Sequence, residues 1–341
     1  MNAKHAALPP EASTDARLGR IVRLLSDNAT IVVSGTRIAE ELGTSRSEVW
    51  RAVQQLREMG VQITGHPATG YQLEAMPDLL LPEILSPLVQ GNLIGSRIRH
   101  YFSIGSTNTE AMTAAASGEA EGTVFLAEEQ TAGRGRADHS WQSEPSAGIC
   151  CSIVLRPQLA PADALALSLM AGLAVVEAVE QTTGLRPDLR WPNDVLLNGK
   201  KFCGILTEMN AEATRVRYVV VGIGINVNNT SFPADLQPIA TSLRLESGRP
   251  WSRVELTAAL LKSLDSSYRK FIEGGAEART ALFRKFEEGS SFAHSRHVHI
   301  EEEGGYEGVT EGLDERGFLR VRTVNGLKTL LSGTVRAVDG K

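Results

Sequence analysis

The chain is poor in cysteine and in aromatic residues, and its charge is close to balanced. Three cysteines, Cys150, Cys151 and Cys203, make neither an even disulfide framework nor a metal-ligand spacing. All three sit in apolar runs and read as buried, reduced thiols. A formal net charge of −5 over 341 residues sets no polyanion-seeking field, so any nucleic-acid contact must rest on a local basic face. The longest apolar run, Ala164 to Val179, is interrupted by Ser168, Gly172 and Glu177, which argues against a membrane span. Met1 to Glu11 is rich in Ala and Pro and lacks the cationic-then-apolar order of a signal peptide. These absences point to a cytoplasmic protein with no membrane partner.

What is present is an apolar content of 42%, enough for two or three cored domains. From about Asp15 to Leu73 the pattern is helical and then strand-like. Leu18, Ile21, Val22, Leu24 and Leu25 form one apolar stripe, and Thr36 to Leu42 a second, short helix stopped by Gly43. Ser45 and Glu48 then make a capping box for a third helix. Val49, Val53 and Leu56 share its inner side, while Arg46, Trp50, Arg51, Gln54 and Arg57 face outward. Val61–Thr64 and Gly70–Leu73 flank a turn and read as a β-hairpin wing. The whole is a winged helix-turn-helix, with Ser45, Arg46, Ser47, Trp50, Arg51 and Gln54 as DNA-contact candidates; a helical bundle that binds protein is the other reading. A proline-bearing linker follows. A central block mixes strands (Val124–Ala127, Ile149–Leu155, Phe202–Glu208, Tyr218–Val227) with helices (Asn108–Ala116, Ala162–Thr183, Val254–Ile272, Ala276–Glu287) in irregular order, an α+β pattern. The last block has short strands (His297–Glu301, Tyr306–Leu313, Gly317–Thr323, Leu327–Val338) between glycine turns, the pattern of a small β-barrel.

Three central segments hold more polar specificity than packing needs. Ser106-Thr107-Asn108 precedes a helix, where Thr107 and Glu110 fit a capping box and free N–H groups gather. Gln130-Thr131-Ala132-Gly133-Arg134-Gly135-Arg136 offers close backbone approach and two guanidinium forks for carboxylate and phosphate. It is not a Walker A loop, since no Gly-Lys-Ser/Thr ending is present. Arg190-Trp191-Pro192-Asn193-Asp194 presents a cation beside an aromatic, with Lys201 to Leu206 and the glycine-bearing strand Gly222 to Val227 beyond it.

Together these segments resemble the biotin–protein ligases, in the bacterial bifunctional form that also represses the biotin operon. The matching runs are Ser106–Asn108, Gln130–Arg136 with Trp141 downstream, Arg190–Asp194, Lys201–Leu206, Gly224–Val227 and Ala240–Leu243. The resemblance implies an α+β multidomain fold. It comprises a winged helix-turn-helix at 15–75, a linker at 76–94, a central mixed-sheet class II synthetase-like ligase domain at 95–289 and an SH3-like barrel at 290–341. It implies biotin and ATP as substrates, Mg²⁺ alongside, biotinyl-AMP as intermediate, and transfer to a lysine of a biotin carboxyl carrier domain. It also implies operator DNA as a partner and a homodimer when the adenylate is bound. In that reading Ser106, Thr107, Asn108 and Gln130 take the ureido group, and Arg134, Gly135 and Arg136 cover the adenylate. Arg190 stabilises charge at the biotin carboxylate and α-phosphate, with Arg136 as its catalytic companion. Gly133, Trp141, Asn193, Lys201 and Asn226 complete the adenylate site, and no residue is assigned to a metal. The chain departs from the family at Arg190, where lysine is usual, and at Ala137-Asp138-His139, where further Arg and Gly are common. The alternatives are a lipoate-type ligase, a ligase without repressor activity and a non-catalytic biotin-sensing regulator.

Overall fold

A computed structural model describes residues 14–66, 69–75, 78–137, 139–301 and 304–338. The reading of Met1 to Glu11 and that of Asp138 therefore lie outside the described residues. The contacts divide the chain between Ile84 and Leu85.

In the first unit, α1 (Thr14–Asp27), α2 (Gly35–Leu42) and α3 (Arg46–Glu58) surround Leu18, Ile21, Val22, Leu25, Ile38, Val49, Val53 and Leu56, all buried. Ser34 caps α2, and Gly43 ends it at φ 63, a left-handed turn that favours glycine. Both halves of the capping box on α3 are made: Glu48 N–H donates to Ser45 Oγ, and Ser45 N–H to the Glu48 carboxylate. A hairpin of β1 (Ile63–His66) and β2 (Gly70–Leu73) pairs Ile63 with Leu73, and Val33 bridges to Tyr71. Along α3, Arg46, Ser47 and Arg51 are exposed, Trp50 is 55% exposed and Gln54 is half-buried. Arg57, expected on that outer face, instead donates from Nε to Ile63 O at 2.9 Å and ties helix to wing.

The short α4 (Pro82–Leu85) lies at the division. Leu79, Leu80, Leu81, Leu85 and Val89 around it are buried.

The second unit carries two sheets. In chain order it holds β3 (Arg97–Tyr101), α5 (Thr107–Ala116), β4 (Thr123–Ala127), β5 (Gly148–Leu155), α6 (Leu165–Thr183), β6 (Asp188–Arg190), β7 (Asp194–Leu197), β8 (Lys200–Ala211) and β9 (Val216–Asn226). Three helices follow, α7 (Leu243–Ser247), α8 (Arg253–Glu273) and α9 (Gly275–Glu288). The central sheet runs β3-β4-β5-β9-β8-β7-β6, parallel only between β3 and β4. Because strand residues alternate faces, Ser152, Leu206 and Gly222 look toward α5, while Ile205 and Ile223 back onto α6. The second sheet is antiparallel, ordered β13-β12-β11-β10-β14 from β10 (His294–Ile300), β11 (Tyr306–Leu313), β12 (Leu319–Thr323), β13 (Gly326–Leu330) and β14 (Val335–Ala337).

Three details differ from the sequence pattern. Pro161–Thr183 is long and apolar enough to cross a membrane by composition, since its polar interruptions are sparse, but most of it is buried in the core of this unit. The run Leu327–Val338 is two strands, broken around Gly333 at φ 126. Strands β3, β6 and β7 appear where no strand was expected. They are short, and β6 and β7 flank the Trp191-Pro192 turn, whose peptide bond is cis.

Candidate active site

The floor of the site is a piece of sheet made shallow by glycine. Ser152, Gly222 and Leu206 lie side by side on β5, β9 and β8, and Cys150, Gly224 and Gly204 form the next row. A Cβ on Gly222 would stand 2.1 Å from Asn108 Oδ1, and one on Gly224 2.5 Å from Trp141 Cε2. The glycines thus make room for one amide and one indole. The N-terminus of α5 sits over this floor. Thr107 donates its N–H and its hydroxyl to Gln130 Oε1, at 2.8 and 3.0 Å. Asn108 Nδ2 donates to Leu206 O at 3.2 Å and to Glu208 Oε2 at 2.9 Å. Ser152 Oγ lies 2.7 Å from Thr107 Oγ1 and 2.6 Å from Asn108 Oδ1. The expected capping box from Thr107 is not formed. Ser106 is the N-cap and accepts Thr109 N–H, because both donors of Thr107 are committed to Gln130.

The connection from β4 to β5 lies across the floor as a loop. Arg134 pairs with Glu208 at 3.0 Å. Arg136 Nη1 donates to Asn193 Oδ1 at 3.1 Å and to Gly333 O at 3.5 Å, joining the loop to both sheets. Trp141 N–H donates to Gly133 O at 2.9 Å, and a Cβ at Gly133 would stand 2.5 Å from Trp141 O. Gly133 therefore serves the site by letting the Trp141 backbone close in.

Two cations share one carboxylate. Lys201 Nζ lies 2.6 Å from Asp194 Oδ1, and Arg190 Nη2 lies 2.7 Å from Asp194 Oδ2. Burial disfavours the Asp194 charge, but Lys201 and then Arg190 outweigh it and hold the carboxyl below its ordinary range. Arg190 is half-buried, with its guanidinium 6.0 Å from the Phe292 ring centre. Burial pushes the Cys150 thiol up to about 11 and that of Cys151 to about 12, and raises Cys203 as well. All three are free, buried and protonated at neutral pH, so none serves as a nucleophile.

Two cavities result. The first is lined by Ser106, Thr107, Asn108, Gln130, Arg134, Gly135, Arg136, Trp141, Asn193 and Lys201, with the glycine floor beneath, and has a volume of about 50 Å³. The second, about 190 Å³, is mainly apolar, with Phe232, Leu236 and Ile239 beside Asn226, Trp141 and Lys201. Lys201 and Trp141 line both, and Lys201 Nζ lies 5.8 Å from the indole centre. Of the sequence candidates here, Gly133 and Arg190 line neither cavity. Ser152 and Glu208 were missed, for only the folded sheet brings them to Thr107, Asn108 and Arg134.

A polar cavity and an apolar cavity thus lie side by side, sharing Lys201 and Trp141. Residues 103–226 match the biotin/lipoate A/B protein ligase family, and residues 17–72 match an HTH domain. Over 318 residues the chain is 35% identical to the bifunctional ligase/repressor BirA of Bacillus spizizenii, covering 92% of this chain and 97% of that protein. It is 27% identical to the bifunctional ligase/repressor BirA of Escherichia coli over 303 residues, 89% of this chain and 92% of that protein. The biotin protein ligase from Aquifex aeolicus, solved in complex with biotin and ATP, superposes with a TM-score of 0.61 at 30% identity, covering 71% of this chain and 99% of that one. The chain belongs to the family of bifunctional biotin ligase/repressors.

Proposed function

We propose that the chain joins biotin to ATP as biotinyl-AMP and then passes the biotin to a lysine of a biotin carboxyl carrier domain. One observation carries this reading: Lys201 lies where the two cavities meet. The amide and hydroxyl groups of Thr107, Asn108 and Gln130 suit a ureido ring, and their unmet bonds would penalise an analogue lacking it. The apolar cavity against Trp141 suits adenine. Between them, a biotin carboxylate oxygen attacks the α-phosphorus, the bond to the β-phosphate oxygen breaks and pyrophosphate leaves. Lys201, with Arg134 and Arg136, offsets the charge that builds there. The acceptor amine then attacks the acyl carbon and AMP departs. This assigns to Lys201 the charge-stabilising role first given to Arg190, because Lys201 lines both cavities and Arg190 lines neither.

Mg²⁺ would enter on the ATP phosphates and screen their charge. The cavity walls offer cations and amides, a donor set for phosphate rather than for a metal cage, and no group of three His, Cys, Asp or Glu gathers for a metal among the described residues. The first cavity is smaller than a bicyclic ligand, so the loop carrying Trp141 must lift for entry and reclose over the adenylate. We read the small second sheet as an SH3-like barrel and the central one as class II synthetase-like, with boundaries at 15–75, 76–94, 95–289 and 290–341. Cytoplasmic location accords with ATP as substrate.

Repression is the second activity of this reading, carried by the exposed Arg46, Ser47, Trp50 and Arg51 on α3. Two reading heads on a palindrome require a two-fold dimer. The outer edge of β8 beyond its pairing with β7, from Leu206 to Ala211, is a strand edge of the central sheet that such a dimer could use. ATP–pyrophosphate exchange dependent on biotin, followed by biotinylation of a carrier domain, tests the ligase; lipoylation without biotinylation would overturn it. Footprinting at the chain's own biotin operon, with and without biotinyl-AMP, tests the repressor, and no protection would remove it.

A further inference from the structure

We infer that Arg253 is a positioning residue that fixes both roots of the loop over the site, the stretch 129–147 bearing Gln130, Arg134, Arg136 and Trp141. The inference deepens the ligase reading and rests on it for its kinetic consequences. Strand β4 ends at Ala127 and β5 begins at Gly148, so Glu128 and Gly148 stand at the two ends of the loop. A single nitrogen, Arg253 Nη1, donates to Glu128 Oε2 at 2.7 Å and to Gly148 O at 3.1 Å. Ser146 N–H donates to Glu128 O at 3.0 Å, closing the same neck from within the loop. On its other oxygen, Glu128 lies 3.1 Å from His100 Nε2 of β3. All three side chains are buried, Arg253 with 1% exposure and Glu128 and His100 with 3% each.

A buried ion pair is a poor store of stability, since apolar residues of equal volume often replace one at no loss. What it supplies here is location. Arg253 is the first residue of α8, a 21-residue helix capped by Ser252. That one nitrogen ties the start of the helix to both strand ends at once. Beyond the neck, Thr131 and Ala132 N–H donate to Ile104 and Gly105 O, while Arg134 and Arg136 reach Glu208 and Asn193 with their side chains, so the placement of the roots bears on where Trp141 and the two arginines arrive. Displacements of about 1 Å at such groups cost on the order of 100-fold in rate.

The test replaces the pair together, as Glu128→Leu with Arg253→Met, to keep the fold while cutting the tie to Gly148. The biotin KM and the rate of adenylate escape should each rise about tenfold, as loss of a charged hydrogen bond implies. The carrier KM should stay near wild type, a split that a general loss of stability would not produce. Trypsin should cut faster after Arg134 and Arg136 in the substrate-free protein. A folded double variant with wild-type biotin KM, adenylate lifetime and tryptic rate overturns the inference. Should the double variant not fold, Arg253→Gln carries the test: its shorter, neutral amide cannot reach both Glu128 and Gly148, and wild-type values there also overturn it. Wild-type protein with no biotin-dependent exchange would sink the ligase reading, while the tryptic comparison, which needs no substrate, still decides the role of Arg253.

Discussion

The floor and the loop of the candidate site solve the same problem by opposite means. The floor is set by strand register and by the want of side chains at Gly204, Gly222 and Gly224, so its geometry is fixed once the sheet forms. The loop is set by charged side chains reaching to separate elements: Arg134 to Glu208 and Arg136 to Asn193 and Gly333. A main-chain ladder cannot shift one residue without shifting all, whereas ion pairs can be exchanged for ligand contacts one by one. The contrast teaches that the rigid half is suited to recognition and the charged half to admission and retention.

Lys201 tests the contrast most severely, since it belongs to the floor and faces both cavities. Lys201→Ala should lower adenylate formation by about 10²–10³-fold with the fold intact, measured by pyrophosphate exchange; activity within a few-fold of wild type would remove it from the chemistry. Next comes the floor alone. Gly222→Ala drives a methyl into Asn108, whose amide is already bonded to Leu206 and Glu208. It should cost about 1–3 kcal/mol of stability by overpacking and raise the biotin KM, with little effect on the ATP KM. An equal rise in both would mean that floor and loop are not separable. A smaller effect is expected in the loop. Arg136→Gly should leave adenylate formation within about tenfold but shorten retention, seen as labelling of non-cognate lysines; unchanged retention would count against the loop's role. The smallest effect is that of pH on the shared carboxylate. Because the Asp194 pKa is held below 3.8, its contribution is complete above that value and is lost as pH falls through the lower folded value. Exchange activity should therefore show no titration of Asp194 between pH 5 and 8, a range set by ordinary assays. Asp194→Asn should remove the tie between Lys201 and Arg190 at every pH; a wild-type rate in that variant would deny the carboxylate any part in placing the lysine.

Local signals in the sequence were legible where the structure is local. The Ser45–Glu48 box and the Gly43 stop involve partners four or fewer residues apart, and both are formed. The glycines of 222–224 announced close approach but not what approaches, for Asn108 and Trp141 arrive from distant parts of the chain. Arg190 was legible as a cation near the site, yet its partner depends on which face of β7 turns toward it. Glu208 was hidden inside an ordinary strand, and Glu128 with Arg253 joins residues 125 positions apart, a pairing that no periodicity reports. The short strands β6 and β7 escaped notice because three or four residues give too little alternation to read.

The indole of Trp191 has a consequence for how this protein is divided. It is 2% exposed and donates Nε1–H to Gly317 O across 2.9 Å, and Ser290 Oγ similarly donates to Leu189 O at 2.6 Å. Shortening the gene to end before residue 290 would remove that acceptor and open the buried indole to water, a loss of roughly 1.5–3 kcal/mol at the Arg190–Asp194 turn. The small terminal sheet therefore braces the turn that carries Arg190 and Asp194, and is not an annexe to it.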